Sequence, residues 1–478
     1  MSSYNNQYNK GIDWLMVVLY IVLVGFGWFN IYAANFDPES KVFFSADAEY
    51  FKQLMWIGVS LISIGIIMLI DSKMFVEIAY IFFGISIFLL IVVLLIGKEV
   101  NGAKSWFALG PVSFQPVEFT KIGTALVVAR IMSRYGFQFN FNSYVKLFTV
   151  LLIPIALVLL QNDTGSALIY FVFLLPMYRE GMTVHILLLG ALCMVATIAS
   201  LLSDSSIVMS IILTIATIMI FIAFSRNATH IDGIISALLC IIVAGGLSAY
   251  LYFSPNDKFL PEYIPLGAAL IMSIFALIRS LIRRVKKISV ILMYMWTGLI
   301  ISFATGYIFE NILIEHQRTR INILFGIEDD PYGAGYNVNQ SLIAIGSGGF
   351  DGKGFLQGTQ TKLNFVPKQS TDFIFCTVGE EWGFLGTTAL VVVYLIFFIR
   401  IINLAEKQHS VFSRVYGYCV ACIFFFHFTV NICMTIGLMP VIGIPLPFFS
   451  YGGSSLWGFS MLLFIFLKLD TDRNELIR

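Results

Sequence analysis

Residues 14–34 read WLMVVLYIVLVGFGWFNIYAA, a run of 21 residues without a charged side chain. At a rise of about 1.5 Å per residue, a helix of this length crosses the roughly 30 Å hydrocarbon core of a bilayer. The run is longer than a typical signal-peptide core and follows a single basic residue, Lys10. We therefore expect a first transmembrane helix that is retained in the protein.

Similar apolar runs recur along the whole chain of 478 residues, of which 58% are hydrophobic and 12% are charged. A soluble domain carries roughly a quarter charged residues. The runs lie near residues 14–34, 53–70, 75–97, 116–134, 146–161, 164–178, 184–201, 206–224, 232–253, 263–280, 288–308, 373–400, 413–437 and 450–468. The sequence thus predicts an all-α integral membrane protein, a polytopic bundle of about 14 transmembrane helices.

The distribution of basic residues predicts the orientation of the chain. Of the 29 Lys and Arg residues, 18 fall on the loops that share a side with the N-terminus and 10 on the opposite loops. Because cytoplasmic loops are enriched in Lys and Arg, we expect both termini in the cytoplasm. The formal net charge of +1 gives no reason to expect a nucleic-acid partner.

Half of the outer basic residues lie in a single long segment, residues 309–372, which we expect to form a large extracytoplasmic loop. Long loops in compact proteins are usually functional or disordered. The loop is rich in glycine and carries Arg, Lys and Asp side chains. This composition predicts a site that faces outward.

The loop begins with residues 316–320 (HQRTR) near the expected headgroup level. The guanidinium groups of Arg318 and Arg320 suit bidentate binding of phosphate oxygens. Alternatively, they anchor the preceding span to lipid headgroups. Residues 346–354 (GSGGFDGKG) contain five glycines, which permit close backbone approach to a ligand, but they match no nucleotide-binding motif. A turn-rich or re-entrant loop is the other interpretation of this stretch.

Asp372 ends the loop at the mouth of the next predicted span, with Lys368 nearby. A carboxylate at the membrane face can accept a proton from a sugar hydroxyl. Burial would raise its pKa, whereas a neighbouring cation would lower it. An Asp at this position can also cap the helix that follows, and the sequence leaves both interpretations open.

Placing an ionisable residue inside a membrane span costs free energy, so such residues usually have a charged or polar partner or a function. Glu118 and Lys121 are three residues apart, so they share a helix face and can form a neutral pair, either structural or catalytic. Asp163 follows a predicted span at an outer hairpin, where it either caps a helix or points into the site. Glu380 lies about two turns beyond Asp372, and we expect it, with Glu381, to support the site from behind.

These residues stand in motifs that resemble the SEDS family of membrane proteins. The motifs are residues 101–106 (NGAKSW), 115–121 (QPVEFTK), 161–165 (QNDTG), 317–321 (QRTRI), 333–336 (GAGY), 340–341 (QS), 357–360 (QGTQ), 371–374 (TDFI), 439–447 (MPVIGIPLP) and 450–455 (SYGGSS). Val117 stands where the family usually has Ser, and Asn162 where it usually has Pro. Neither departure affects a charged position. The form of residues 439–447 is similar to the RodA type rather than the FtsW type.

The resemblance covers roughly residues 14–180 and 290–470 and implies ten family helices. It divides the chain into N-terminal family helices (1–181), about four inserted helices outside the family core (182–290), and C-terminal family helices with the large loop (291–478). It also implies the activity, which is polymerisation of lipid II into peptidoglycan glycan strands during cell elongation and rod-shape maintenance. The location would be the outer face of the bacterial cytoplasmic membrane.

By the same resemblance, Asp372 is the general base of an inverting glycosyl transfer. Substrate binding falls to residues that the family motifs contain or that lie beside them: Gln317, Arg318, Arg320, Lys368, Trp106 and Gln340. Glu118, Lys121, Asp163 and Glu380 would line or brace the cavity beneath. No cofactor is certain, although a divalent cation such as Mg²⁺ could assist the leaving diphosphate.

The resemblance further implies partners. These are lipid II, a glycan linked to undecaprenyl diphosphate, a class B penicillin-binding protein and other proteins of the elongation machinery. Two other functions stay open. The intramembrane charges would also suit a transporter that flips lipid II, although no inverted repeat is evident, and a purely structural scaffold would leave the Arg and Asp residues of the loop unexplained.

Overall fold

The structure is a computed structural model that describes residues 11–36, 48–100, 102–109, 112–227, 230–253, 261–312, 318, 322, 335–363 and 365–473. Its helices in chain order are α1 (Trp14–Ala34), α2 (Glu49–Leu69), α3 (Ser72–Ile96), α4 (Val117–Met132), α5 (Phe141–Leu160), α6 (Thr164–Ile169), α7 (Leu174–Arg179), α8 (Val184–Leu202), α9 (Ser205–Asn227), α10 (His230–Phe253), α11 (Tyr263–Arg283), α12 (Lys287–Asn311), α13 (Tyr336–Ser347), α14 (Thr359–Lys362), α15 (Ile374–Glu406), α16 (Val411–Thr435) and α17 (Gly453–Thr471).

Twelve helices in the described ranges are long and apolar enough to cross a membrane: α1, α2, α3, α5, α8, α9, α10, α11, α12, α15, α16 and α17. The chain is therefore a multi-pass helical membrane protein. The predicted count of fourteen is not confirmed. The apolar run at 116–134 forms only the 16-residue helix α4. The run at 164–178 is split into α6, a 3₁₀ turn (Tyr170–Phe173) and α7.

A small antiparallel sheet departs from the all-α expectation. Its strands are β1 (Lys98–Val100), β2 (Ala103–Leu109) and β3 (Val112–Phe114), in the order β1-β2-β3. The backbone N–H of Lys104 donates to Gln161 O at 2.9 Å and ties the sheet to the turn after α5. Apolar periodicity does not reveal strands this short, because they lie between spans and bury little surface.

The chain forms two compact units, residues Met1–Met182 with Asp329–Arg478, and Thr183–Glu328. In the first unit, α4 is buried almost throughout and packs against α3, α16 and α17. In the core of this unit, the buried ring of Phe448 contacts two other aromatic rings. Its centroid lies 5.1 Å from that of Phe424 and 5.8 Å from that of Phe397. Such pairs add stability beyond the area that they bury.

The second unit contains α8 to α12. Its core is built from apolar side chains of α9 to α12, and the alanines of α11 (Ala268, Ala269 and Ala276) are small enough to allow neighbouring helices to approach closely. One carboxylate, Asp232 on α10, is fully buried in this unit. It is paired with Arg279 and Arg283 of α11. The expected division at residues 182–290 stays a prediction.

Helix α15 is interrupted at Gly383, where the backbone has φ 62° and ψ −157°. The glycine-rich segment 348–354 lies against this break and pairs its backbone groups. The N–H groups of Phe384 and Leu385 donate to the carbonyls of Gly349 and Phe350, at 3.0 and 3.2 Å. On the other side of the break, the N–H groups of Lys353 and Gly354 donate to the carbonyls of Glu380 and Glu381, at 3.0 and 2.9 Å.

This pairing explains why glycines are needed in the segment. A Cβ on Gly352, which has φ +81°, would lie 2.3 Å from Glu381 O. A Cβ on Gly348 would lie 1.9 Å from Gly379 O. The glycines therefore allow backbone to pack on backbone, and residues 348–356 form a succession of turns and bends.

Gly352→Ala should lower the free energy of unfolding by roughly 2 kcal/mol or more, since it adds a steric clash to a left-handed backbone. The measurement is the melting temperature of the purified protein in detergent. Gly346→Ala is the matched control, because this exposed glycine of α13 has no atom within 4 Å of an added Cβ. Equal melting temperatures for the two variants would show that the segment does not hold the break.

Candidate active site

Asp372 lies in the turn that leads into α15, and its side chain is 13% exposed. Lys368 adopts a left-handed conformation with φ 56°. The N–H groups of Thr371 and Phe373 donate to Lys368 O, so the turn folds back on itself. This conformation places Lys368 Nζ 3.6 Å from Asp372 Oδ2.

The carboxylate of Asp372 is not used to cap the helix. The N-cap residue of α15 is Phe373, which makes no capping side-chain hydrogen bond. Within the described residues, no backbone N–H of the first turn donates to the Asp372 carboxylate. The described partner of the carboxylate is therefore the Lys368 ammonium and not the N-terminus of the helix.

Burial raises the pKa of the Asp372 carboxyl above its ordinary value, and the nearby Lys368 ammonium opposes part of that rise. Desolvation disfavours the charged form of a carboxyl, whereas an adjacent cation favours it. A raised pKa brings the group nearer to the range in which a base accepts a proton efficiently at neutral pH.

Asn431 of α16 and Gly443 support Asp372 from below. Asn431 Nδ2 donates to Asp372 O and to Ile444 O, each at 2.8 Å. Gly443 has φ +78°, and a Cβ there would lie 3.5 Å from Asp372 Oδ2. Our sequence reasoning missed both residues. An asparagine inside a predicted span, and a glycine before two prolines, were the available signals.

Of the residues predicted to bind the diphosphate, Lys368 and Arg318 lie in the described part of the chain. Lys368 lies beside Asp372, with its side chain about half exposed. Arg318 belongs to the second unit, where its guanidinium donates to Glu310 O. Gln317 and Arg320 lie outside the described residues.

Trp106 and Gln340, the other predicted substrate-binding residues, are both partly buried. Trp106 lies on β2 opposite Lys98 of β1. Gln340 lies on α13, one residue before Ser341, which donates to Thr435 O of α16 at 2.9 Å. Their roles in substrate binding stay predictions.

Glu118 and Lys121 form the ion pair that their spacing indicated. Lys121 Nζ lies 2.8 Å from Glu118 Oε2, and both side chains are buried. The ammonium also contacts His427 Nε2 at 3.1 Å and lies 4.9 Å from the centroid of the Phe459 ring. The pair is therefore fully enclosed by α4, α16 and α17, which removes direct contact with bulk water.

Asp163 caps α6. Its carboxylate accepts hydrogen bonds from Ser166 N at 3.0 Å and from Ser166 Oγ at 2.8 Å. It also accepts from Gln115 Nε2 at 3.0 Å, which joins the start of α4 to the start of α6. Of the two interpretations of Asp163, the structure contains the cap.

The Glu380 carboxylate anchors the loop that precedes the site. Its Oε1 accepts from Lys353 Nζ at 2.7 Å and from the backbone N–H groups of Thr359 and Gln360 at 2.7 and 2.8 Å. Its Oε2 accepts from Thr361 N at 2.9 Å. One buried carboxylate thus gathers a cation and the N–H groups at the start of α14. That Glu380 also supports the site stays a prediction.

The model of a family described as "Cell cycle protein" (FtsW, RodA and SpoVE) matches residues 13–223 and 264–475. The peptidoglycan glycosyltransferase RodA of Treponema pallidum (strain Nichols) is 31% identical over 453 residues, which are 93% of this chain and 94% of that protein. The peptidoglycan glycosyltransferase MrdB of Escherichia coli (strain K12) is 45% identical over 145 residues, 30% of this chain and 39% of that protein.

Two solved structures share the fold. One is a chain in a structure titled "Structural coordination of polymerization and crosslinking by a peptidoglycan synthase complex", with a TM-score of 0.60 and 24% identity. The superposition includes 97% of the chain described here and 99% of the chain in that structure. The other is the rod shape-determining protein RodA of Thermus thermophilus, with a TM-score of 0.53, 22% identity and coverage of 97% and 98%.

The fold and the site thus define a multi-pass membrane protein with a buried carboxylate beside a lysine at the mouth of a broken helix. The chain belongs to the FtsW/RodA/SpoVE family, that is, the SEDS family of the sequence resemblance. The family model leaves residues 224–263 unmatched, a segment that includes α10.

Glu380→Ala should release residues 353–361, because Lys353 and three backbone N–H groups lose their common acceptor. We expect faster backbone hydrogen exchange in this segment, measured by mass spectrometry on the detergent-solubilised protein. Glu180→Ala is the control, since that carboxylate pairs with Arg414 instead. If residues 353–361 exchange at the wild-type rate in Glu380→Ala, Glu380 does not anchor the loop.

Proposed function

We propose that the chain is a peptidoglycan glycosyltransferase of the RodA type that polymerises lipid II, with Asp372 as the general base. The observation that carries this proposal is the geometry of Asp372: a buried carboxylate, left uncapped at the mouth of α15, with Lys368 Nζ at 3.6 Å. Membership of the family and the name of the Treponema pallidum relative support the same reaction class.

In the proposed reaction, the 4-hydroxyl of a terminal GlcNAc attacks the anomeric carbon of a second, diphosphate-linked glycan. A C–O bond forms to the attacking oxygen, and the bond between the anomeric carbon and the diphosphate oxygen breaks. Asp372 takes the hydroxyl proton, and undecaprenyl diphosphate leaves. An α-linked donor and a β-1,4 product require inversion, so one displacement suffices and no covalent enzyme intermediate forms.

Cationic side chains stabilise the charge that develops on the leaving diphosphate. Lys368, whose Nζ lies 3.6 Å from Asp372 Oδ2, is the first candidate for this task. Arg318 and Arg320 are the further candidates from the family motif, and Gln317 beside them is a candidate for binding the substrate. Among the described residues there is no group of three or more His, Cys, Asp or Glu side chains suited to a metal ion. A divalent cation such as Mg²⁺, when bound to the diphosphate, would supply further positive charge there.

The proposed setting is the outer face of the bacterial cytoplasmic membrane, with both termini in the cytoplasm. A class B penicillin-binding protein is the proposed protein partner, and other elongation proteins would lie nearby. A structural relative of this chain belongs to a peptidoglycan synthase complex, which supports a partner of this kind. The proposed cellular role is synthesis of glycan strands during elongation and maintenance of rod shape.

Asp372→Asn should lower lipid II polymerisation by about 10²–10⁴-fold, the usual contribution of a general base, while the protein stays folded. The assay uses purified lipid II, the detergent-solubilised protein and its cognate transpeptidase. Asp351→Asn is the matched control, an exposed carboxylate of the glycine-rich segment that should keep full activity. Polymerisation by folded Asp372→Asn at the wild-type rate would refute the assignment of the base.

Lys368→Gln should move the acidic limb of the pH–rate profile to higher pH. The base must be deprotonated, so activity rises with pH through its pKa, and loss of the adjacent cation raises that pKa. The readout is the midpoint of the limb rather than the maximal rate, which would also fall if Lys368 binds diphosphate. Lys98→Gln, an exposed lysine of β1, should leave the midpoint unchanged. A midpoint that stays in place in Lys368→Gln would exclude this electrostatic coupling.

Flipping of lipid II across the membrane is the second candidate function. Two helical regions are interrupted, at Gly383 in α15 and at the 3₁₀ turn between α6 and α7, and broken helices are common in transporters. Reconstituted vesicles with labelled lipid II distinguish the candidates. A flippase moves the lipid without forming strands, and it keeps this activity in Asp372→Asn.

A further inference from the structure

Helix α16 presents two buried polar side chains on one face, His427 and Asn431, which are four residues apart. Their exposed fractions are 1% and 0%. Both contact backbone carbonyls of residues 441–448, the irregular segment that joins α16 to α17. Since polar side chains buried in a membrane protein are costly, their specific partners indicate what they do.

The segment 441–448 needs such partners because it has no regular structure of its own. Pro445 and Pro447 lack backbone N–H groups and prevent helical pairing. The buried carbonyl groups of the segment, including those of the prolines themselves, must still accept hydrogen bonds. Asn431 donates to Ile444 O, and Tyr394 OH donates to Pro447 O. Side chains from α15 and α16 therefore determine the path of the segment.

The protonation of His427 follows from its neighbours. Lys121 is a donor only, so His427 Nε2, 3.1 Å from Lys121 Nζ, is the acceptor of that contact. The ring proton therefore lies on Nδ1, which donates to Pro445 O at 3.2 Å. His427 is thus a neutral bridge between the Glu118–Lys121 ion pair and the segment 441–448.

The same segment forms the floor beneath Asp372. Gly443 lies next to the Asp372 carboxylate, where an added Cβ would be in van der Waals contact with Oδ2 at 3.5 Å. Asn431 Nδ2 is shared between Asp372 O and Ile444 O, so it joins the floor to the backbone of the proposed base. Consecutive carbonyls, those of Ile444 and Pro445, are therefore held by Asn431 and His427.

We propose that His427 and Asn431 are positioning residues for Asp372: by donating to the carbonyls of Pro445 and Ile444 they hold residues 443–445, the part of the floor next to the Asp372 carboxylate. This inference rests on the proposed function, in which Asp372 is the base. A small displacement of a catalytic group can cost about 10²-fold in rate without weakening substrate binding. A side chain that only fills space would instead affect the stability of the fold.

Two substitutions separate the two contacts of His427. His427→Asn keeps a donor near the position of Nδ1 and removes the acceptor for Lys121. His427→Gln keeps an acceptor near the position of Nε2 and removes the donor to Pro445. We expect His427→Gln to lower kcat for lipid II polymerisation about tenfold or more with KM within about twofold, whereas His427→Asn keeps kcat within about threefold.

Asn431→Leu removes both donors to the floor and to Asp372 O, and we expect kcat to fall by about 10²-fold with little change in KM. Asn30→Leu is the matched control, because Asn30 is also fully buried but donates to Phe26 O within its own helix. That variant should keep the wild-type kcat. All variants are assayed as full-length protein with the cognate transpeptidase, and their melting temperatures are measured in parallel.

Each outcome decides the question. Wild-type kcat in folded His427→Gln and Asn431→Leu, or equal losses in His427→Gln and His427→Asn, would overturn the positioning role. A loss that appears in KM instead of kcat would also overturn it. Asp372→Asn is assayed beside them: if it is inactive while Asn431→Leu is active, only the positioning role fails. If Asp372→Asn is active, the proposed base and this inference fail together.

Discussion

The break in α15 at Gly383 is tolerated because another part of the chain pairs the backbone groups that the break leaves free. In hydrocarbon, an unpaired N–H or C=O group costs several kcal/mol, so a non-helical backbone survives only where protein covers it. Residues 348–354 provide this cover by donating to Glu380 O and Glu381 O and by accepting from Phe384 N and Leu385 N. The position of the short helical segment that begins beside Asp372 depends on these contacts.

Three sets of polar contacts, all within the first unit, hold Asp372 and the loop that precedes it. Glu380 fixes the loop between Lys353 and Thr361, the turn at Lys368 brings its ammonium to Asp372, and Asn431 holds the backbone of Asp372 from below. In each case a buried polar group meets backbone or a charged partner rather than solvent. Such contacts specify geometry more strongly than apolar packing does, because a misplaced polar group loses its partner.

The sequence allowed the membrane class, most of the spans and the carboxylate at the mouth of α15 to be predicted, because each depends on composition or on neighbours close in the chain. The spacing of Glu118 and Lys121 likewise indicated their ion pair, since residues three apart share a helix face. The contacts that hold the site were not predictable in this way. His427 meets Lys121 across 306 positions of sequence, and no local pattern encodes that meeting. The break at Gly383 was also missed, because one glycine in a long apolar run does not distinguish a broken helix from a continuous one.

Asp232 joins α10 to α11 in the second unit. It is fully buried, it lies on α10, and it neutralises Arg279 and Arg283 of α11. Helix α10 falls within residues 224–263, the part that the family model does not match. The two arginines, however, lie in the part that does match. The side chains of Arg279 and Arg283 stay 29% and 41% exposed, so it is the buried carboxylate that depends on the arginines rather than the reverse. A buried carboxylate without a cationic partner is strongly unfavourable, and α10 with Asp232 can therefore pack in this unit only beside basic residues such as these two.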